Sequence, residues 1–186
     1  MTATDTVTLR ESSDYLALDF DYDPGVSKLV LAETVDTLAR GNPTYRQVVE
    51  KELASRDVTA EYREAFGELG LRHDNLADTM AAYWISMWTV IHNKPLATAE
   101  QTAAVLAQVM PRIQTSALTK SARKRQMMGE ALVYEATIAL TVYNEAKANN
   151  QELQLRQMAQ SAKKNTRKKG FELAKMKLTD QGMQRR

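Results

Sequence analysis

The spacing of apolar residues divides the chain into helices with one short extended piece near each end. In "YLALDFDYD", Leu16, Leu18, Phe20 and Tyr22 alternate with Ala17, Asp19, Asp21 and Asp23, which predicts a strand with one buried face. Pro24-Gly25 ends it. Helical spacing then runs through Val26, Leu29, Val30, Leu31, Val35 and Leu38 to Gly41. Asn42-Pro43 offers a cap followed by proline at the first helical position, opening a helix with Val48, Val49 and Leu53 that ends near Arg56. The next starts at Asp57 to Thr59, places Tyr62, Phe66 and Leu69 on one side, and stops at Gly70.

The strongest pattern follows. After a cap at Asp74 or Asn75, Leu76, Met80, Tyr83, Trp84, Met87, Trp88 and Ile91 form the i, i+4, i+7, i+8 series of a buried helical face. Asn93-Lys94-Pro95 breaks that helix. Thr98 and Gln101 make a capping-box pair ahead of Val105, Leu106, Val109 and Ile113, and Pro111 is expected to kink or split this element. A long helix is predicted from about Thr119 to Asn149, using Met127, Met128, Leu132, Ile138, Ala139 and Val142. After a turn at Asn149-Asn150, a last helix carries Leu153, Leu155, Met158 and Ala162 into "KKNTRKKG". The tail "FELAKMKLTDQG" reads as extended, with Met176 and Leu178 alternating with Lys175, Lys177 and Thr179.

These elements specify an all-α chain: a single domain of about seven helices around a central Trp-rich helix, with short extended segments at both termini. Residues 1–14 read as a polar tail, 15–182 as the domain and 183–186 as a second tail. The two extended ends are expected to pair, setting Asp19, Asp21 and Asp23 opposite Lys175 and Lys177 on the helical body.

Charge refines this picture. Residues 1–119 hold 10 Lys and Arg against 17 Asp and Glu, a net −7, whereas residues 120–186 hold 15 against 6, a net +9. Attraction between the halves within one fold is the preferred reading, with a basic arm for an anionic partner as the other. No stretch approaches the roughly eighteen apolar residues of a membrane span. The start "MTATDTVTLRESS" shows no basic-then-apolar leader. The absence of Cys excludes disulfides and thiol chemistry, and two His make an imidazole-rich metal site improbable.

Candidate chemistry is sparse. Trp84 and Trp88 share a helical face with Tyr83, Met80 and Met87, and large rings at that spacing fill a core more often than they stack on a ligand. Asp19, Asp21 and Asp23 resemble the opening of a calcium loop, but Pro24 and Val30 stand where its glycine and bidentate glutamate belong. His73, Asp74 and Asp78 could hold a metal, though acids at a helix start serve capping equally well. His92, near the far end of the same helix, suits its negative pole. Glu135 falls on an apolar side, and with Asp78 it is the only candidate for acid–base catalysis; an ion pair with a neighbouring helix is the plainer role. Two basic runs, Lys120, Arg123, Lys124 and Arg125, then Lys163, Lys164, Arg167, Lys168 and Lys169, could meet an anionic partner. Neither is interleaved with aromatics, which disfavours nucleic acid. No cofactor is expected.

"LGLRHDNLADTMAAYWISMW" (Leu69–Trp88) and "LTDQG" (Leu178–Gly182) resemble an uncharacterised family of small bacterial proteins. Its members often carry a secretion signal. They share a G-L-x-x-D-N-x-A-D helix with Tyr-Trp and Trp, and a C-terminal L-T-x-x-G. The resemblance covers Gly70 to Gly182 and is loose before that. It implies a helical domain in the periplasm or envelope, or a cytoplasmic one if no leader was removed, and it supplies no reaction. The expectation is therefore a non-enzymatic envelope protein acting through protein contacts or self-association. A binder of anionic partners, and a hydrolytic enzyme using Glu135 with Asp74 or Asp78, are the alternatives.

Overall fold

The computed structural model describes residues 9–39, 43–114 and 120–186. Eight helices follow in order: α1 (Ser13–Leu16), α2 (Pro24–Ala39), α3 (Pro43–Ala54), α4 (Val58–Phe66), α5 (Leu76–His92), α6 (Ala99–Gln114), α7 (Ala122–Ala148) and α8 (Glu152–Lys168). A 3-10 turn at Leu173–Lys175 leads into a hairpin of β1 (Met176–Thr179) and β2 (Gly182–Arg185). Gly41, Asn42 and Thr119, expected to close or open helices, lie outside the described residues, as do residues 1–8.

Helix α5 is the centre. Every residue from Leu76 to Ile91 is buried, so the helix has a core on all sides and not only along the face expected from its large residues. Small side chains make this fit: Ala77, Ala81, Ala82 and Ser86 let neighbouring helices approach where Trp84 and Trp88 do not project. Two of its buried hydroxyls turn back on the helix, Ser86 Oγ donating to the Ala82 carbonyl at 2.8 Å and Thr79 Oγ1 to that of Leu76 at 3.1 Å, while Thr89 Oγ1 donates to the Pro95 carbonyl at 3.4 Å. Helices α6, α7 and α8 all pack against it, and α7 and α8 form an antiparallel pair joined at Asn149–Gln151. A smaller cluster of Val35, Val49 and Leu53 under Ile138 fastens the α2–α3 pair to α7.

Local signals set the helix boundaries. Pro43 is the first residue of α3, and Asp57 caps α4 by accepting from Ala60 N at 2.9 Å. Asn75 caps α5, accepting from Ala77 N (2.9 Å) and Asp78 N (3.3 Å). Thr98 and Gln101 exchange reciprocal bonds of 3.2 Å before α6. Asn93 ends α5 in the left-handed region at φ 48°. Helix α6 is not split at Pro111, which lies in its last turn where only one donor is lost.

Four expectations are corrected. The strand over residues 15–23 is absent: Ser13–Leu16 is a helical turn and only a single bridge joins Asp19 to Asn75. The buried residues there are Tyr15, Leu18 and Phe20, while Leu16 and Tyr22 face solvent at 50% and 73%. Tyr15 and Leu18 are one helical turn apart, and the alternation of aspartates beyond them concealed this spacing. The chain ends do not pair, because β1 takes its partner from β2 in antiparallel register, Met176 against Arg185 and Thr179 against Gly182. Lys175 accordingly meets Glu172, not an N-terminal aspartate. On α7 the buried face is Gln126, Gly129, Leu132, Val133, Ala136, Thr137, Leu140 and Tyr143, so Ile138 and Val142 lie to its side. The fold also passes both expected tail boundaries, since Ser12 caps α1 and Met183 is buried.

Gly129 shows how closely the N-terminal segment is seated. A Cβ there would come within 2.5 Å of the Phe20 ring. Gly129→Ala gains about 1 kcal/mol of helix propensity, while overpacking costs about 1–3 kcal/mol. A net loss of up to about 2 kcal/mol in urea melts is expected, recovered when Phe20→Leu is added; a stabilised single variant would show that Phe20 is not seated on α7.

Candidate interaction surface

Polar groups gather first where the N-terminal segment crosses the start of α5. Asn75, fully buried, caps the helix with its oxygen and donates its amide to the Tyr15 carbonyl (3.0 Å) and Asp19 Oδ1 (2.7 Å). Leu76 N donates to the Leu18 carbonyl and Phe20 N to that of Asp74, both at 3.0 Å. One turn into the helix, Asp78 is fully buried and accepts from Tyr15 Oη at 2.6 Å and Arg72 N at 3.1 Å. Arg10 stands 3.9 Å from its other oxygen. Burial pushes the Asp78 carboxyl above its ordinary value, and the Tyr15 hydroxyl and Arg10 guanidinium oppose that rise. Tyr15 is in turn pushed up by burial and by the adjacent carboxylate. Asp78 is the only charged residue between Leu76 and Ile91, a signal of a buried lock that sequence reading left unused.

Glu135 has a different partner. Lys169 Nζ donates to its Oε1 at 2.5 Å and lies 4.9 Å from the centre of the Tyr83 ring. Both charged side chains are 39% exposed. The carboxylates considered for catalysis are thus engaged in separate arrangements, Asp78 with Tyr15, Glu135 with Lys169 and Asp74 with Arg72. Trp84 is buried against Phe171, with ring centroids 4.9 Å apart, and Arg112 lies over its ring at 5.2 Å. Trp88 donates its indole N–H to the Met176 carbonyl at 3.1 Å, and Met80, Tyr83 and Met87 are buried beside the pair.

The other expected ligand residues are dispersed. Asp74 and Asp19 both take Arg72, at 3.0 Å each. Asp23 Oδ1 accepts from Gly25 N (2.7 Å) and Val26 N (3.3 Å) at the start of α2. His73 faces Arg63, 3.2 Å from its Nη2, while Asp78 is sealed inside. His92 Nδ1 lies 3.0 Å from Arg186 Nη2, which leaves Nε2 to donate to the Leu173 carbonyl at 3.0 Å.

The basic runs occupy separate places. Lys120, Arg123 and Lys124 are exposed at the start of α7, and Arg125 donates to the Asp19 carbonyl at 3.0 Å. Lys169 sits beside Glu135, ten residues along α7 from Arg125, or about 15 Å of helix. Lys163, Lys164, Arg167 and Lys168 project from α8 with Gln160 around a shallow groove. Arg156 and the apolar Leu153, 70% exposed, lie at helical spacing along the same helix. Among the described residues, Arg156, Lys163, Lys164, Arg167 and Lys168 form no ion pair, whereas Lys169, Lys175 and Arg185 do.

Each ion pair between described residues also stays within one half of the chain. Arg10, Arg46, Arg56 and Arg72 take acids before residue 119; Lys169, Lys175 and Arg185 take acids after residue 120. Across the halves, Glu145 acts on the Arg56 guanidinium and Arg125 donates to the Asp19 carbonyl. The cationic surplus of the second half remains on its surface.

Among proteins already grouped by sequence, the profile of a family of unknown function, DUF6683, matches residues 2–186. No curated protein and no solved structure matches the chain. No helix among the described residues is long and apolar enough to cross a membrane.

Two outcomes follow from this geometry. Tyr15→Phe removes the donor to a buried carboxylate and is expected to cost about 1–3 kcal/mol in chemical denaturation; a neutral result would mean that Arg10 and Arg72 N alone satisfy Asp78. His73 is held below its ordinary 6.5 by burial first and then by Arg63, with Arg72 adding and Asp74 and Glu130 opposing. On acidification the unfolded chain therefore binds the proton first, so the contribution of His73 is complete above 6.5 and lost as pH falls below it. Thermal melts at about pH 7.5 and about pH 5.5 should show a smaller drop for His73→Asn than for the wild type.

Proposed function

We propose that this chain, which belongs to the DUF6683 family, is a non-enzymatic protein of the bacterial envelope that works by contact with an acidic protein partner docked on the outer face of α8. The observation that carries this reading is the set of five exposed cations, Arg156, Lys163, Lys164, Arg167 and Lys168, without an acid partner among the described residues. Lys and Arg in the last turns of a helix favour its negative end. Five on one exposed face go beyond that need and are a field for an anionic partner. The exposed Leu153 and the lack of aromatics between the cations suit a protein surface better than nucleic-acid bases. Location in the envelope is supported by the resemblance of Leu69–Trp88 and Leu178–Gly182 to proteins that often carry a secretion signal. A hydrolytic role is disfavoured because Glu135 and Asp78 are held in separate arrangements by Lys169 and Tyr15.

A photo-crosslinking residue placed at Gln160 in living cells tests the reading, with Leu29 on α2 as the distant control. A protein adduct is expected at Gln160 alone. Neutralising Lys163, Lys164, Arg167 and Lys168 to Gln should lower its yield by about tenfold while helix content is unchanged. In extracts, added salt should weaken the contact, since charges are screened over about 8 Å at physiological ionic strength. A nuclease-sensitive adduct would transfer the surface to nucleic acid, and no adduct would overturn the proposal.

A further inference from the structure

A second polar site lies away from α8, in a cleft of about 420 Å³ between α2, α4 and α7. That volume falls within the roughly 300–1,000 Å³ of small-molecule sites. Phe20, Val58 and Val133 give it a buried apolar lining, and Tyr22 and Tyr134 add two aromatic walls. Tyr22 leaves 73% of its surface in water at the mouth of the cleft.

The polar groups of the cleft are incompletely used. Arg63 spends one N–H on His73 Nε2 at 3.2 Å and meets no carboxylate among the described residues. His73 is kept neutral by burial and by that guanidinium, so it orients the fork of Arg63 without cancelling its charge. Glu130 Oε1 accepts from Ser27 Oγ and Gln126 Nε2, both at 2.8 Å, while its Oε2 takes no hydrogen bond from a described residue. Asp74, also in the lining, is already bound by Arg72. The cleft therefore offers one open cationic donor and one open anionic acceptor that do not pair with each other. A simple anion would face Glu130 and Asp74, and a simple cation would face Arg63. Only a ligand carrying both charges meets each with its opposite.

We infer that this cleft binds a small zwitterion with an apolar body, an aromatic α-amino acid, its carboxylate on Arg63, its ammonium on Glu130 Oε2 and its ring among Phe20, Tyr22 and Tyr134. The site is independent of the α8 surface and stands or falls apart from it.

L-phenylalanine titrated into the full chain, followed by amide chemical shifts, is the direct test. Saturable binding is expected, with shifts at Phe20, Arg63 and Glu130. Phenylacetate, lacking the amine, and phenethylamine, lacking the carboxylate, should each bind at least about tenfold more weakly. Arg63→Gln and Glu130→Gln should each weaken L-phenylalanine by about tenfold or more, and Glu130→Gln keeps an oxygen for Ser27 and Gln126. Thr59→Phe, which fills the cleft without changing its charge, should abolish binding and guards against misfolding of the charge variants. No saturable binding, or equal binding of phenylacetate, would overturn the inference, and the α8 crosslink would be untouched by either result.

Discussion

A helix that keeps no face for solvent imposes the conditions that the rest of this molecule meets. Helix α5 buries every residue from Leu76 to Ile91, so its polar groups must find partners inside the protein. Asn75 satisfies the first donors and, in the same act, holds the N-terminal segment through Tyr15 and Asp19. Tyr15 and Arg72 N meet Asp78, and the hydroxyls of Thr79 and Ser86 bend back to their own backbone. At the other end Asn93 turns the chain, while Trp88 and His92 reach into the C-terminal segment. These bonds hold the segments flanking α5 in space, while Tyr83 Oη and Trp84 Nε1 are buried without a hydrogen-bond partner among the described residues.

The stretches Leu69–Trp88 and Leu178–Gly182 have architectural roles in this chain. In "DNLAD" the Asp74 carbonyl receives Phe20 N, Asn75 caps, Ala77 is buried and Asp78 is the inner acid. In "LTDQG" Leu178 packs on the core, and Thr179 Oγ1 ties the turn to Gln181 N and the Gly182 carbonyl. Gly182 adopts φ +88°, and the Gln108 side chain sits where its Cβ would be. Neither stretch converges on a reaction centre. The halves are joined by apolar contact and by polar links such as Ser27 to Glu130, Gln126 to Asp23 and Arg125 to the Asp19 carbonyl, while α8 presents cations outward.

Boundaries set by neighbouring residues were readable in advance. Pro43, Asp57, Asn75, the Thr98–Gln101 box and Asn93 act through bonds to atoms a few positions away, so their chemistry is written locally. What failed was assignment of partners at long range. "YLALDFDYD" alternates well enough for a strand, yet no neighbouring strand is offered; Asn75 captures Asp19 and leaves Leu16 and Tyr22 outside. Glu135 was recognisable as an acid needing a partner, but nothing nearby in sequence indicates Lys169, 34 positions away. The cleft was illegible for the same reason, since Phe20, Ser27, Arg63, His73 and Glu130 come from separate parts of the chain.

The C-terminal hairpin has a kinetic meaning. It is attached by the Trp88 indole to Met176, by His92 to Leu173 and by Gln108 to Met183, links that close 88, 81 and 75 residues of chain. Helical hairpins such as α7–α8 close far shorter loops, and loop closure must be met before a distant contact rewards it. Contacts of this length, like those of 103 and 106 residues that seat the N-terminal segment on α7, form only once the helices between them are in place. Removing the hairpin would bare the Trp88 edge of α5, whose indole N–H it satisfies through the Met176 carbonyl.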